Sequence, residues 1–506
     1  MSRLSRRSLI GKSLLAAGAA TLLSARKSKG LAGRQSALGR VLGANDRIRV
    51  AVAGIHNQGS AHIKYYSQLA KSHNVEIVYL VDPDSRLFES RVKIVEDQAG
   101  YRPAKCVQDV RRALDDRDVD AVSIATPNHW HSLITIWACQ AGKDVLVEKP
   151  MSHNMHEERI VVETARKYGR VVRHGIQNRD STPYNQMIAV VRSGKLGKLK
   201  VARGLCYKPG WGEQNTRGSI GYAPYKQPPA ELDFDIWLGP APTQPYHENL
   251  VHYRWHWFWD FGNGDTGNQG INELDIVRWA IPNATLPTSV ISFGGRLGYQ
   301  DQGETPSTLV TIADYGETKL IFETRGLKSD PYFDLQIGVI LHLDGGTIAC
   351  DFEKICFYPK GSSETAPLPE VPVEMGSVEG EGEIRKFTNF LAVMRSRRIT
   401  DLRGDALDAH YSCALVHLAN ASFRRGSKIP FHPQPEELTG DPDVKEVLDR
   451  TEQHLEQHGI SLEKDGYVLG RKLVVDAMSE AVVDDPQADA LLTRHYRKPF
   501  VVPDEA

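Results

Sequence analysis

The sequence predicts an α/β protein in two parts: a doubly wound parallel sheet first, then an α+β domain carrying an antiparallel sheet. Three observations lead there. Short runs of branched apolar residues alternate with helix-length segments between Ile48 and His174. A glycine-bearing turn, Gly54-Ile-His-Asn-Gln-Gly59, joins the first strand to the first helix. Beyond about Gly175 the alternation gives way to segments of period two.

Taken in order, Ile48–Gly54 reads as a buried parallel strand because it is a short run rich in branched apolar residues that ends in glycine. Ala61–Ser72 follows as a helix, Val75–Val81 as a strand closed by Asp82-Pro83, and Ser85–Ala99 as a helix. Asp109–Asp115 opens a further helix. Asp120–Ala125 and Asp144–Val147 are strands with helix Ser132–Ala141 between them; helix His156–Tyr168 and strand Arg170–His174 complete the unit. Right-handed crossovers connect such strands. Proline and glycine are dense between Pro209 and Pro245. Ser289–Phe293, Thr308–Ala313, Lys319–Thr324 and Gly338–Leu343 alternate as antiparallel strands. Glu383–Arg395 and Ala406–Arg424 read as helices packed back on the body, and a helix near Val444–His458 lies in a tail with proline- and acid-rich stretches.

At 506 residues, 41% hydrophobic and 25% charged, the chain has the composition of a multidomain globular protein. A net charge of -1 gives no electrostatic reason for a nucleic-acid partner. The six cysteines form no C-x-x-C pair, so they read as small buried residues and no metal site is expected. The N-terminus is different. Ser5-Arg-Arg-Ser-Leu-Ile-Gly-Lys12 precedes an apolar run, Leu14–Leu23, too short to span a bilayer. The Arg6-Arg7 pair resembles a twin-arginine export signal, which implies the twin-arginine machinery as partner and the periplasm or cell envelope as destination.

In a parallel sheet, ligands sit outside the carboxyl ends of the strands. Gly54, His56, Asn57, Gln58, Gly59, Asp82, Thr126, Asn128, His131, Glu148 and Lys149 are all expected at that edge. Gly54 and Gly59 stand where the first and third glycines of a dinucleotide fingerprint stand; His56 occupies the second position. Asp82 closes the second strand, where a carboxylate accepts from ribose hydroxyls and repels a 2′-phosphate. NAD is therefore expected over NADP, with Arg86 keeping the second choice open.

Gly54–Gly59, Asp82, Thr126-Pro-Asn128, Glu148-Lys-Pro150 and Gly262–Asp275 together resemble the Gfo/Idh/MocA oxidoreductases, the glucose–fructose oxidoreductase and inositol dehydrogenase group. The resemblance extends over everything after about Asn45. It implies an N-terminal Rossmann domain, a C-terminal α+β domain with an open antiparallel sheet, a nicotinamide cofactor, a sugar or polyol substrate and a homo-oligomer. The expected boundaries are 1–44 for signal and linker, 45–175 for the Rossmann domain, 176–430 for the substrate and oligomerisation domain, and 431–506 for a tail packing on the body.

The resemblance implies a catalytic set of a lysine, an aspartate and a histidine. Lys149 matches the lysine; the other two positions fall on Asn268 and Asn272. An amide orients a hydroxyl but cannot take its proton near neutral pH. Three readings stay open: Lys149 alone as base with its pKa lowered by burial, a histidine such as His252 or His256 in the missing role, or ligand binding without turnover. In an extended segment Trp255, Trp257 and Trp259 fall on one face and Arg254, His256 and Phe258 on the other. Aromatic faces suit sugars, although core packing accounts for the same rings. Arg254, His256 and Trp257, with Gln177, Asn178, Arg179 and Tyr184, are the expected substrate contacts. Export adds a constraint, because free NAD is not regenerated outside the cytoplasm. The cofactor is then loaded beforehand and recycled in each turnover, either by coupled sugar oxidation and reduction or by redox-neutral glycoside cleavage. A non-catalytic nucleotide- or carbohydrate-binding envelope protein is the alternative from another class.

Overall fold

The computed structural model describes residues 46–103, 105–208, 219–373, 375 and 378–506. The export motif and Pro209 lie outside the described residues. The first unit alternates β1 (Ile48–Ala53), α1 (Asn57–Leu69), β2 (Val75–Val81), α2 (Phe88–Ala99), β3 (Lys105–Val107), α3 (Arg111–Leu114), β4 (Ala121–Ile124), α4 (Asn128–Gln140), β5 (Asp144–Val147), α5 (Met155–Lys167) and β6 (Val172–His174). Its six strands are parallel, in the order β3-β2-β1-β4-β5-β6. The order reverses at β1, which opens the crevice between β1 and β4 where such sheets hold ligands.

Two helix starts differ from expectation. α1 begins at Asn57 rather than Ala61, so the glycine turn feeds directly into helical N–H groups. α4 begins at Asn128 rather than Ser132, which places Asn128, His129 and His131 on its first turn. The cause in α4 is Pro127, whose fixed φ of -59° suits the residue entering a helix.

The second unit follows with α6 (Thr182–Ser193), β7 (Leu199–Tyr207), α7 (Phe234–Leu238), α8 (Ile271–Ala280), β8 (Ser289–Gly295), β9 (Thr308–Asp314), β10 (Lys319–Arg325), β11 (Ile337–Leu343), β12 (Gly346–Cys350) and β13 (Ile355–Pro359). Then come α9 (Ile384–Ser396), α10 (Ala406–Arg424), β14 (Ser427–Pro430), α11 (Glu436–Thr439), α12 (Pro442–Gln457), β15 (Gly466–Leu469), β16 (Leu473–Asp476), β17 (Ala481–Val482) and α13 (Pro486–Asp489). The main sheet path is β13-β12-β11-β7-β10-β9-β8-β15-β14, with β16 also paired to β8. All its pairs are antiparallel except β7 with β10, which makes the sheet mixed.

Alternation explains how this sheet serves two cores. Ala202, Cys206, Leu320 and Phe322 face inward and join the cluster that contains α8 and α10. Val201, Phe293, Val310 and Ile321 face the other way and pack with Val444, Val447, Leu448 and Leu455 of α12. That outer face is thus covered by the chain's own tail. Ion pairs fix α12 in register: Arg450 donates to Glu323 at 2.5 Å and to the Tyr207 hydroxyl at 2.9 Å, and Arg203 meets Glu446 at 2.9 Å. Glu323 is fully buried, so removing its cations would strand a charge.

α9 also crosses the sequence-expected boundary. Phe387, Phe390, Leu391, Val393 and Met394 complete the core under Ile48, Val50 and Val52. Some two hundred residues after β6, the chain returns to finish the first sheet's packing. Truncating Leu448 to Ala removes a nearly fully buried side chain from the α12 contact. Chemical denaturation is expected to show a loss of about 2–4 kcal/mol; a loss under about 1 kcal/mol contradicts the tail's packing role.

Candidate active site

β1, β2, β4 and β5 end at Ala53, Val81, Ile124 and Val147, all on one edge. The residues just after those ends line a cavity of about 400 Å³. At one end stand Gly54, His56, Asn57, Gln58 and Asp82, with His252 against His56; in the middle Thr126, Asn128, His131, Glu148 and Lys149; on the wall beyond Gln177, Lys208, Tyr253, Trp255, Asn268, Gln269 and Asn272. The lysine and the glycine turn therefore face the same slot.

The glycine end is shaped by contact. Gly54 has φ +77°, and a β-carbon there would lie 2.5 Å from the Thr126 amide nitrogen. A β-carbon on Gly59 would lie 1.7 Å from the Gly54 carbonyl oxygen, so only glycine lets α1 begin this close to β1. Gly59 itself packs behind the turn and is absent from the cavity lining. α1 carries no acid in its first turn, which leaves a positive helix end facing the cavity, suited to a phosphate. His56 stacks on His252, ring centroids 4.3 Å apart. Burial, with His252 and Arg91 nearby, pushes its pKa down to about 4, so the ring is neutral at pH 7.

Asp82 is buried, and its carboxylate accepts from Ile55 N and Asp84 N, each at 2.9 Å. It thus organises the turn it faces, and it retains lone pairs for a hydroxyl. Arg86, which left a 2′-phosphate open, is bound bidentately to Asp84 at 2.8 and 2.5 Å and does not line the cavity. The arrangement favours a free 2′-hydroxyl.

Glu148 points behind the site. Its Oε1 accepts from Lys386 at 2.6 Å and pairs with His62 at 2.9 Å. Burial by itself would raise its pKa, but Lys386 and His62 hold it well below the usual carboxylate range. Lys149, the next residue, turns into the cavity and donates to the Asn268 carbonyl. Burial lowers the pKa of its ammonium, partly offset by Glu148. The ring of His131 spans the carbonyls of Thr126 and Pro150, 2.7 Å from each, and so braces the loops on both sides of Lys149. Asn268 and Asn272 lie on the turn opposite. Asn272 Nδ2 donates to Gln269 O at 3.1 Å, while Asn272 Oδ1 and Thr126 Oγ1 are buried with no protein partner among the described residues. Those two atoms await a ligand's donors.

The aromatic segment requires a correction. Arg254–Trp257 forms a 3-10 turn, not an extended stretch, so its side chains do not alternate between two faces. Trp257 is fully buried under Arg296, and His256 is buried with Nδ1 2.7 Å from Tyr253 O. Arg254 reaches Asn249 at 2.9 Å. None of the three lines the cavity; His252, Tyr253 and Trp255 do. Arg179 and Tyr184 also lie elsewhere: Arg179 forks onto Asp275 at 2.7 and 2.9 Å, and Tyr184 is buried in the core. Gln177 is at the cavity.

Glu273, Gln269 and Lys208 stand at or beside the site with little in the sequence to mark them. Gln269 and Glu273 fall inside the Gly262–Asp275 run, one turn apart, and that spacing is the only signal they carry. Lys208, at the end of β7, donates to Gln269 Oε1 at 2.5 Å, and no local pattern announces it.

Two family models match in succession: "Oxidoreductase family, NAD-binding Rossmann fold" over residues 48–176 and "Oxidoreductase family, C-terminal alpha/beta domain" over residues 181–295. The chain is 28% identical over 174 residues to an inositol 2-dehydrogenase of Corynebacterium glutamicum, covering 34% of this chain and 49% of that protein. It is 29% identical over 170 residues to a glycosyl hydrolase family 109 protein of Shewanella pealeana, covering 32% of this chain and 36% of that one. The chain thus spans half or less of the length of these relatives. The fold is similar to that of the WlbA dehydrogenase from Bordetella pertussis, solved with NADH and UDP-GlcNAcA: TM-score 0.53, 18% identity, 75% of this chain and 97% of that one. Substituting Gly59 by Ala is expected to weaken NAD binding at least about tenfold, measured by calorimetric titration. Unchanged affinity would mean that the turn does not cradle the nucleotide.

Proposed function

Because the chain belongs to the Gfo/Idh/MocA oxidoreductase family, we propose that it is an NAD-dependent oxidoreductase acting on a hydroxyl of a sugar, glycoside or cyclitol. The observation that carries this reading is the shared slot: the glycine turn at one end, Lys149 in the middle and a wall of amides and aromatic rings beyond. The glycine turn, the α1 N-terminus, Asp82 and Thr126 would hold the nucleotide. A bound nicotinamide supplies a hydride acceptor. The protein's part is the proton. Burial disfavours the charged form of Lys149, and once its amine is free it accepts the hydroxyl proton at Nζ as the hydride leaves carbon. Asn268 and Asn272 orient the substrate oxygen, and Trp255 and Tyr253 offer rings to its C–H faces.

The twin-arginine-type motif supports export to the periplasm or cell envelope, with the cofactor bound beforehand and recycled within each turnover. A redox-neutral glycosidase is the second reading, favoured by the similarity to a glycosyl hydrolase family 109 protein. Transient oxidation at one carbon acidifies the C–H beside it; loss of that proton expels the aglycone, water adds to the resulting enone and the hydride returns, so only water is consumed and the same lysine serves. Incubating the protein with a glycoside and with the corresponding free sugar separates the two: released aglycone without net NADH marks the glycosidase.

Lys149→Ala is expected to lower kcat by a factor of about 10²–10⁴ while bound nucleotide is retained; full activity in that variant contradicts the lysine's role. Wild-type protein that turns over no sugar or cyclitol, yet binds NAD, supports a binding protein instead. Purified protein, once denatured, is expected to release about one nicotinamide nucleotide per chain. Active protein with none removes the tight-cofactor part of the reading.

A further inference from the structure

Three buried carboxyls stand around Lys149 and the helix opposite it. Glu148 is committed to Lys386 and His62, and Asp275 to Arg179. Glu273 has no such partner: among the described residues no cationic nitrogen lies within 4.0 Å of it. It is 2% exposed, and it accepts from neutral groups: Asn178 Nδ2 at 3.3 Å, Gln269 Nε2 at 3.4 Å and its own backbone N–H. It sits on the first turn of α8, directly after the π-turn Thr266–Gly270 whose Asn268 carbonyl holds the Lys149 ammonium. The two groups act on each other electrostatically.

We propose that Glu273 is a positioning residue for proton transfer, the buried counter-charge that makes Lys149 a competent acceptor of the substrate's proton. This rests on the reading of Lys149 as base given above. When the amine takes a proton it becomes an ammonium that Glu148 favours most strongly, but Lys386, bound to Glu148, opposes it, and Glu273 is the next carboxylate in its favour. With Glu273 ionised, the arriving proton converts a lone buried carboxylate into an ion pair. Burial raises the Glu273 pKa to about 8, against the stabilising pull of Gln269, Asn178 and Lys149, so both of its forms are reachable near neutral pH. The other groups facing the pair are fixed: Glu148, Lys386, Glu383 and His131 around Lys149, and Tyr184 beside Glu273. The protons leave such a pair in two coupled steps, not independently.

The test is the pH dependence of kcat/KM in Glu273→Gln, which keeps the shape and the amide contacts and removes the charge. The acid limb, where Lys149 must lose its proton, is expected to move down by about one pH unit. Glu273→Asp keeps a charge and is expected to hold the limb close to wild type. Asn178→Ala, milder for folding, weakens the carboxylate and is expected to shift the limb in the same direction by less. Competitive acylation of Lys149 against pH, read by mass spectrometry on ligand-free protein, reports the amine without turnover and is expected to shift alongside. An unmoved limb and an unmoved labelling midpoint in folded Glu273→Gln overturn the proposal. If Lys149→Met keeps wild-type turnover, the base reading fails separately, and the labelling midpoint still decides whether Glu273 governs the amine.

Discussion

The site depends on how the chain leaves strand β5. Glu148 and Lys149 are consecutive, so their side chains depart in different directions. One is drawn inward by Lys386 and His62, and the other is left facing the cavity. The buried pair is not there for stability alone, since a buried ion pair often does no better than an apolar replacement. Its effect is to fix the backbone at the strand end. Lys386 comes from α9, the late helix that completes the first sheet's core. The edge of the Rossmann unit that carries Lys149 is therefore secured by a segment far along the chain.

The second domain makes the other wall. α8 and the π-turn before it bring Asn268, Gln269 and Asn272 to Lys149, and Gly204 and Gly270 allow the close approach because both lie against Phe322. The mixed sheet carries this wall on one face and the α12 cap on the other. The tail is thus part of the structural support under the substrate side of the slot. A covered outer face also means that assembly through that face requires the tail to move.

Much of this was legible in the sequence. The parallel strands follow from short runs rich in branched apolar residues, and β5 falls on Asp144–Val147 as read. The cofactor edge followed from strand ends and glycine placement. What escaped was set by distance or by local turn geometry. The period of two in Thr308–Asp314 does not reveal that α12 covers the second face. The aromatic run from His252 to Phe261 was legible as a cluster but not as a 3-10 turn, so His252, Tyr253 and Trp255 reach the cavity in place of Arg254, His256 and Trp257. Arg179 looked available for a ligand; its partners Asp275 and Asp408 lie about a hundred and more residues away. Glu273 stood in plain view beside Asn272, and only its burial without a cation distinguishes it from an ordinary helix glutamate.

A crystal structure of the protein with NAD and a sugar or cyclitol bound would test the central claim most directly. The account predicts the nicotinamide ring in the slot between Thr126 and Asn272, with the Lys149 nitrogen in hydrogen-bond reach of the substrate oxygen nearest that ring. A nicotinamide lying elsewhere, or a Lys149 side chain turned to bulk solvent while substrate is bound, would contradict it.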